Sequence, residues 1–127
     1  MKTVLIGLLG TTLDMGLGKG RWEYWRPSVA MCMQDDILID EFHLLHARSH
    51  KKLAEQVKHD IFAVSPETVV TGHDVEFENP WDFEEVYSGL LDFCNGFTFD
   101  IDNNEYLVHI TTGTHVAQIC LFLLTES

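Results

Sequence analysis

Two clusters of small polar residues each follow a short apolar segment of the chain. Thr111–His115 (TTGTH) separates Tyr106–Ile110 from Val116–Leu124, in which Gln118 is the one polar residue. If a strand ends and a helix begins there, free backbone N–H groups, hydroxyls and an imidazole form a site suited to phosphate. The histidine of the cluster could also donate or accept a proton, because histidine ordinarily titrates near neutral pH.

The second cluster, Gly10–Asp14 (GTTLD), follows the apolar segment Lys2–Leu9. In open α/β sheets, ligands bind outside the carboxyl ends of the strands, at the point where the winding reverses direction. If Lys2–Leu9 is a central strand beside Tyr106–Thr111, the two clusters meet at that point. The alternative is that each cluster is an ordinary strand-to-helix turn. The joint ligand site predicted here comprises Gly10, Thr11, Thr12, Asp14, Thr111, Thr112, Gly113, Thr114 and His115.

Cations and aromatic rings alternate at the end of a long glycine-containing loop, Gly10–Arg26. Loops of this length within a domain are usually functional or mobile. Cations interleaved with aromatic faces suit the phosphates and stacked bases of a small or single-stranded nucleotide. The alternative is that the aromatic rings only pack the loop down. We expect four of its residues to contribute to the ligand site: Lys19, Arg21, Trp22 and Arg26.

The charge of the chain is unevenly distributed. The formal net charge is −12, with +2 on residues 1–34 and −14 on residues 35–127. This balance argues against a broad duplex-binding surface, which needs a basic face to displace counterions. An anionic ligand is expected near the first quarter of the chain, although random clustering on a solvated acidic surface is an equal alternative.

Several other classes of protein and site lack support in the sequence. The chain has neither G-x-G-x-x-G after its first apolar segment nor G-x-x-x-x-G-K-[ST], which disfavours NAD-dependent dehydrogenases and P-loop NTPases. Its three cysteines are odd in number, widely spaced and set among apolar neighbours, which predicts reduced, buried thiols. Neither a signal peptide nor a membrane-spanning segment is evident, so we expect a cytoplasmic protein.

The histidines do not predict a metal centre. His43, His46 and His50 are spaced by three and four residues, which could chelate a metal on one helix, but here they straddle a strand end and a turn. They are expected to be surface or loop histidines, and His109 a hydrogen-bonded core histidine. No set of nucleophile, base and orienting group is evident, so we predict no catalytic residue, no metal and no cofactor.

The pattern along the chain is β-α-β-α-β-α-β-α within one domain, residues 1–127. Alternating strands and helices predict a parallel sheet with helices on its faces. We expect strands at Lys2–Leu9, Ile37–Leu45, Glu67–Phe77 and Tyr106–Thr111, and helices starting at Pro27, after the cap residues Ser49 and Asn79, and near Thr114. The last helix is apolar around its circumference, so we expect further chain, a partner chain, or both to cover it.

Four segments resemble the amino-terminal regulatory domain of the RtcR family, sigma-54-dependent activators of the RNA-repair operon that encodes RNA ligase and RNA 3′-phosphate cyclase. They are WRP (Trp25–Pro27), SPET (Ser65–Thr68), NPWDFEEVY (Asn79–Tyr87) and HITTGTHVAQIC (His109–Cys120). The resemblance implies a Rossmann-like, three-layer CARF-type domain with a mainly parallel sheet, truncated after its fourth βα unit. It also implies that an AAA+ ATPase and a helix-turn-helix DNA-binding domain would follow in a longer protein.

The same resemblance implies a function. The domain would be a dimeric sensor that binds an RNA-derived nucleotide at the two polar clusters and contacts DNA and sigma-54 RNA polymerase only through the missing domains. The ligand would be an RNA end with a terminal or 2′,3′-cyclic phosphate, or a cyclic oligoadenylate. Two alternatives are a metal-independent ring nuclease in which Thr112, Thr114 and His115 position a ribose 2′-hydroxyl, and a plain dimerisation scaffold.

Overall fold

The computed structural model describes residues 1–11, 13–16, 18–109 and 112–126, with the backbone alone at 125 and 126. Thr12 and Thr111, both predicted site residues, lie outside the described residues.

The centre of the fold is a four-stranded parallel sheet in the order β3-β2-β1-β4. Because the chain winds from β1 through β2 to β3 on one side and then places β4 on the other side of β1, the winding reverses between β1 and β4. This is the predicted switch point. The strands are Lys2–Leu8 (β1), Glu41–His46 (β2), Val69–Asp74 (β3) and Asn104–His109 (β4).

Each strand is followed by an α-helix, and the helices lie in two layers. The helices are Pro27–Met31 (α1), Lys51–Val64 (α2), Phe83–Gly96 (α3) and His115–Glu126 (α4), with 3-10 turns at Lys19–Glu23 and Arg48–His50. One core cluster joins α1 and α2 to the sheet, and a second joins α3 and α4 to its opposite face. The predicted three-layer α/β class is confirmed.

The alternation of side chains along β1 creates these two cores. Leu5 and Leu9 belong to the α1/α2 core, whereas Ile6 and Leu8 belong to the α3/α4 core. A strand that is covered on both faces must be apolar at successive positions, as the sequence of β1 is.

Several predicted boundaries differ from the structure, among them those of β3 and β4, and three of the differences have a local explanation. β2 begins at Glu41 rather than Ile37, because the Asp40 carboxylate accepts a hydrogen bond from the Thr3 amide (2.8 Å) just before the ladder begins. α2 begins at Lys51 without a side-chain cap, since Ser49 lies within the preceding 3-10 turn. The amide of Glu84 bonds the Asp82 carboxylate (3.1 Å), so Asp82 rather than Asn79 caps α3.

The three cysteines are free thiols, as predicted; Cys32 and Cys120 are buried and Cys94 is half-buried. Burial raises the pKa of the Cys32 thiol to about 12, so it remains protonated at neutral pH. None of the helices among the described residues is long and apolar enough to cross a membrane.

Helix α4 is only partly covered within the described residues. Ala117, Cys120 and Leu121 pack into the α3/α4 core, whereas Ile119 and Leu123 are exposed. The cover predicted for this helix, by further chain, a partner chain or both, stays a prediction.

Candidate functional site

A cavity of about 570 Å³ opens at the carboxyl ends of β1, β2 and β4, beside the point where the winding reverses. Its walls include six of the seven predicted residues that the structure describes in the two polar clusters. These are Gly10, Thr11, Thr112, Gly113, Thr114 and His115. The structure therefore brings the two polar clusters to one cavity.

The loop between β4 and α4 is held in a defined conformation. Gly113 has φ 87°, in the left-handed region that glycine adopts without strain, and a Cβ there would approach Leu8 Cδ1 to 3.2 Å. The buried Thr112 hydroxyl donates to the carbonyl of Leu8, which fastens this loop to the end of β1. These two features position the first backbone N–H groups of α4 at the cavity.

Thr114 caps α4 and connects it to a second loop. Its hydroxyl accepts a hydrogen bond from the Ala117 amide (3.0 Å), as an N-cap residue does, and donates one to the carbonyl of Pro80 (2.7 Å). The loop between β3 and α3 is thereby joined to the start of α4. His115, the first residue of α4, has an exposed side chain at the cavity.

Asp14 has a structural position rather than the ligand-facing one we predicted. Its side chain is buried and does not line the cavity. Its carboxylate accepts hydrogen bonds from the Gly10 amide (2.8 Å), the Ser28 amide (2.9 Å) and the Ser28 hydroxyl (2.6 Å). The reason is local: the carboxylate closes the loop after β1 and satisfies free N–H groups at the start of α1.

The basic and aromatic residues predicted for the site lie outside this cavity. Asp60 of α2, itself buried, accepts hydrogen bonds from Arg21 (2.8 and 3.1 Å) and from the buried Arg26 (2.6 Å). Burial alone would raise the pKa of Asp60, but the hydrogen bonds from Arg21, Arg26 and Gln56 and the charge of Arg26 lower it to about 2.

Trp22 packs against the same two guanidinium groups. The centre of its ring lies 5.6 Å from the Arg21 Cζ atom and 4.9 Å from the Arg26 Cζ atom, within the range of cation–π contacts. Trp22 therefore follows the alternative given above, in which the aromatic rings pack the loop down and do not face a ligand. Lys19, the fourth predicted residue of this segment, also lies outside the cavity walls.

The charged groups at the cavity are few. Among the described lining residues there is no lysine or arginine, and Glu76 is the one carboxylate. Glu76 accepts a hydrogen bond from the Arg48 amide, and its Oε1 lies 4.0 Å from Arg48 Nε. The imidazoles of His46, His50 and His115 line the walls.

The other histidines depart from the prediction in two ways. His46 is buried and His43 half-buried, because both belong to β2 rather than to a surface loop. His109 is a core residue, 2% exposed, but neither of its ring nitrogens has a hydrogen-bond partner among the described residues. Burial lowers the pKa of His109, and the charge of Asp14 partly opposes this shift.

Sequence reasoning missed one conspicuous cavity residue, Trp81 in the loop between β3 and α3. It lies in the NPWDFEE segment, whose proline and acidic residues indicated only the start of a helix. The pattern carried one signal that could have identified it, a large aromatic residue in a loop that follows a strand. No group of His, Cys, Asp and Glu among the described residues could hold a metal ion.

The parallel sheet and the reversal of its winding define a Rossmann-like, doubly wound α/β fold. Two solved structures share this fold. The chain of Enterococcus italicus Csm6 bound to cyclic hexa-2′-fluoro-hexa-dAMP matches with a TM-score of 0.69 at 15% identity, over 98% of this chain and 30% of that chain. Can2 from Sulfobacillus thermosulfidooxidans in complex with cyclic tetra-adenylate matches with a TM-score of 0.59 at 14% identity, over 98% and 29%.

The chain belongs to the RtcR family, described as "Regulator of RNA terminal phosphate cyclase", whose model matches residues 1–127. It is 52% identical over 127 residues to the transcriptional regulatory protein RtcR of Escherichia coli strain K12. That match covers 99% of this chain and 24% of the relative, so the chain spans about a quarter of the relative's length. The predicted family is confirmed.

Proposed function

We propose that this chain is the ligand-sensing domain of a bacterial transcriptional regulator and binds an RNA-derived nucleotide in the cavity at the ends of β1 and β4. The observation that carries the proposal is the cavity itself, which joins both polar clusters at the switch point in a member of the RtcR family. Open α/β sheets bind their ligands at this point.

The chemistry of the walls suits the phosphate and the less polar parts of a nucleotide. The start of α4 offers backbone N–H groups that suit a phosphate, while the remainder combines imidazoles, apolar side chains and one carboxylate. Suitable ligands are an RNA end with a terminal or 2′,3′-cyclic phosphate, or a cyclic oligoadenylate. The cyclic oligonucleotides in the two similar structures are consistent with this class.

In the proposed regulator, ligand binding changes a homodimer and releases an attached sigma-54-activating ATPase, which controls transcription of an RNA-repair operon. The ATPase and the DNA-binding domain would lie outside this chain, which spans 24% of its RtcR relative. The exposed apolar residues of α4 support a role for that helix in assembly.

Titration calorimetry with two probes tests the proposal: cyclic tetra-adenylate, and a short RNA that ends in a 2′,3′-cyclic phosphate. We expect one of them to bind the parent chain and to bind His115→Ala more weakly. Lys19→Ala, a cationic change outside the cavity, is the control and should retain the parent affinity. If neither probe binds the parent chain, the proposal is wrong.

Cleavage of a cyclic oligoadenylate is the alternative activity. The two threonine hydroxyls that could take part in it already make hydrogen bonds within the protein. The Thr112 hydroxyl donates to Leu8, and the Thr114 hydroxyl donates to Pro80 and accepts from Ala117. Neither proton is free to orient a ribose 2′-hydroxyl without breaking a loop contact. Recovery of intact cyclic tetra-adenylate after incubation with the chain would count against cleavage, and linear products would support it.

A further inference from the structure

We infer that Trp81 is a stacking platform for one nucleobase of the ligand, which lies across the cavity mouth with its backbone toward the start of α4. The inference rests on the proposed function and deepens it. It assigns a binding role to a residue outside both polar clusters and outside the basic–aromatic segment.

The backbone around Trp81 is held in place although its side chain is not buried. The Trp81 amide donates to the Asn79 side chain (3.1 Å), and the Asp82 amide donates to the Asn79 carbonyl (3.0 Å). The Asn79 amide in turn donates to Glu85 of α3 (3.1 Å). The turn is therefore held in place while the indole remains 61% exposed.

The indole of Trp81 lies beside the start of α4. The Trp81 and His115 rings lie 6.3 Å apart between centroids at an angle of 78°, and both side chains line the cavity. The hydrogen bond from Thr114 to the Pro80 carbonyl joins the two loops that carry these rings. An aromatic face thus stands beside the N–H groups that suit a phosphate.

The three tryptophans of the chain differ in their surroundings. Trp22 packs against two guanidinium groups, and Trp25 is 64% exposed but lies outside the cavity. Trp81 alone combines exposure with a place in the cavity wall. An indole on a fixed backbone has only two rotatable side-chain bonds to order when a base stacks on it, and stacking tolerates any base.

The test is a thermodynamic cycle, in which binding affinity is measured for a change in the protein, a change in the ligand, and both together. The same two probes are titrated into the parent chain, Trp81→Leu, Trp81→Phe and the control Trp25→Leu. The RNA probe is also prepared with an abasic ribose at each position in turn. Circular dichroism of each variant verifies that it is folded.

We expect Trp81→Leu to weaken binding about 5- to 100-fold, the range for loss of one stacked base. Trp81→Phe should recover most of the affinity, and Trp25→Leu should bind as the parent does. At one abasic position, the parent and Trp81→Leu should bind equally. If the role of Trp81 were only structural, Trp81→Leu would bind more weakly than the parent whichever position of the RNA is abasic.

Fluorescence provides a second readout that does not depend on the leucine variant. In Trp22→Phe/Trp25→Phe, Trp81 is the remaining tryptophan, and base stacking should quench its emission. The inference is overturned if a probe binds the parent chain but Trp81→Leu binds within twofold of it, or if bound probe leaves that emission unchanged. Failure of both probes to bind the parent chain would instead overturn the proposed function, and the inference with it.

Discussion

The basic–aromatic segment, Lys19–Arg26, and the cavity at the ends of β1 and β4 both contain groups that bind nucleotides, but the fold uses them differently. In the segment, Arg21 and Arg26 are paired with Asp60, and Trp22 packs against their guanidinium groups. At the cavity, Trp81 and His115 remain exposed. Residue types indicate which ligands a side chain could bind. The partners available within the fold determine whether that side chain is paired inside the protein or remains exposed to a ligand.

The largest expected effect comes from removing the carboxylate that pairs the arginines. Asp60→Ala leaves the guanidinium of Arg26, which is 3% exposed, buried without its partner. Losses of about 3–5 kcal/mol in the free energy of unfolding are typical for such a change. Urea denaturation monitored by circular dichroism measures it.

The control is Arg48→Ala, which removes an exposed pair with Glu76 and should cost less than about 1 kcal/mol. If Asp60→Ala were as stable as the parent and bound the nucleotide probes more tightly, the arginines would be ligand groups, and the comparison between the two regions would fail.

The next effect tests the contact between the two polar clusters. A Cβ at Gly10 would lie 2.6 Å from Thr112 Cγ2 and 2.9 Å from Thr112 Cβ. Because the hydroxyl of that threonine fastens the loop before α4 to Leu8, Gly10→Ala should displace the loop and destabilise the fold by about 1–3 kcal/mol. Thermal denaturation and the affinity for the nucleotide probes report the two consequences.

Gly18→Ala is the matched substitution in the other region, where nothing lies within 4 Å of the added Cβ. It should change neither stability nor affinity appreciably. Equal behaviour of the two alanine variants would contradict a close contact between the polar clusters.

A smaller effect is expected at the cap of α4. Thr114→Val removes the hydroxyl that bonds Pro80 and Ala117, and loss of such a cap costs about 1 kcal/mol. We expect weaker nucleotide binding as well, because the loop that carries Trp81 loses its link to α4. Thr114→Ser keeps the hydroxyl and should behave nearly as the parent in denaturation and calorimetry; equal loss in both variants would show that the hydroxyl is not the cause.

The smallest effect expected is the pH dependence of stability, which comes from buried and half-buried histidines. Burial lowers the pKa of His109, and burial with the charges of His43 and His46 lowers the pKa of His73. The unfolded chain therefore binds these protons first, so stability is full above the ordinary histidine pKa of about 6.5 and decreases as pH falls below it. Urea midpoints between pH 8 and pH 5 should show this decrease.

His109→Leu, similar in size and without a titrating ring, should reduce the slope of stability against pH. The arginine pairs should contribute nothing in this interval, because the pKa of Asp60 is about 2. If the stability of the parent chain were constant down to pH 5, burial would not lower the pKa of His109 and His73 in the folded chain.

The sequence was sufficient to predict the order of elements and the switch point. Runs such as that of β1, apolar at successive positions, require cover on both faces, and this requirement leads to a parallel sheet between helices. Helix caps were predicted less well: Asn79 has the residue type of a cap, but it holds the Pro80 turn, and Asp82 caps α3.

The candidate site was likewise predicted in part: the meeting of the two polar clusters was predicted, and the pairing of the arginines and the place of Trp81 were not. The two polar clusters follow adjacent strands, so topology alone brings them together. The pairing of Arg21 with Asp60 joins residues 39 positions apart, and no local pattern encodes it. Trp81 was missed for a similar reason, since its exposure depends on how the loop after β3 is fastened to α4.

Amide NMR shifts during titration with cyclic tetra-adenylate and with the cyclic-phosphate RNA show which of the two regions contacts the ligand. We expect the amides of Gly113, Thr114 and His115 and the indole N–H of Trp81 to shift most, while those of Lys19–Arg26 stay in place. The largest shifts in Lys19–Arg26, with the cavity amides unmoved, would contradict a ligand site in the cavity.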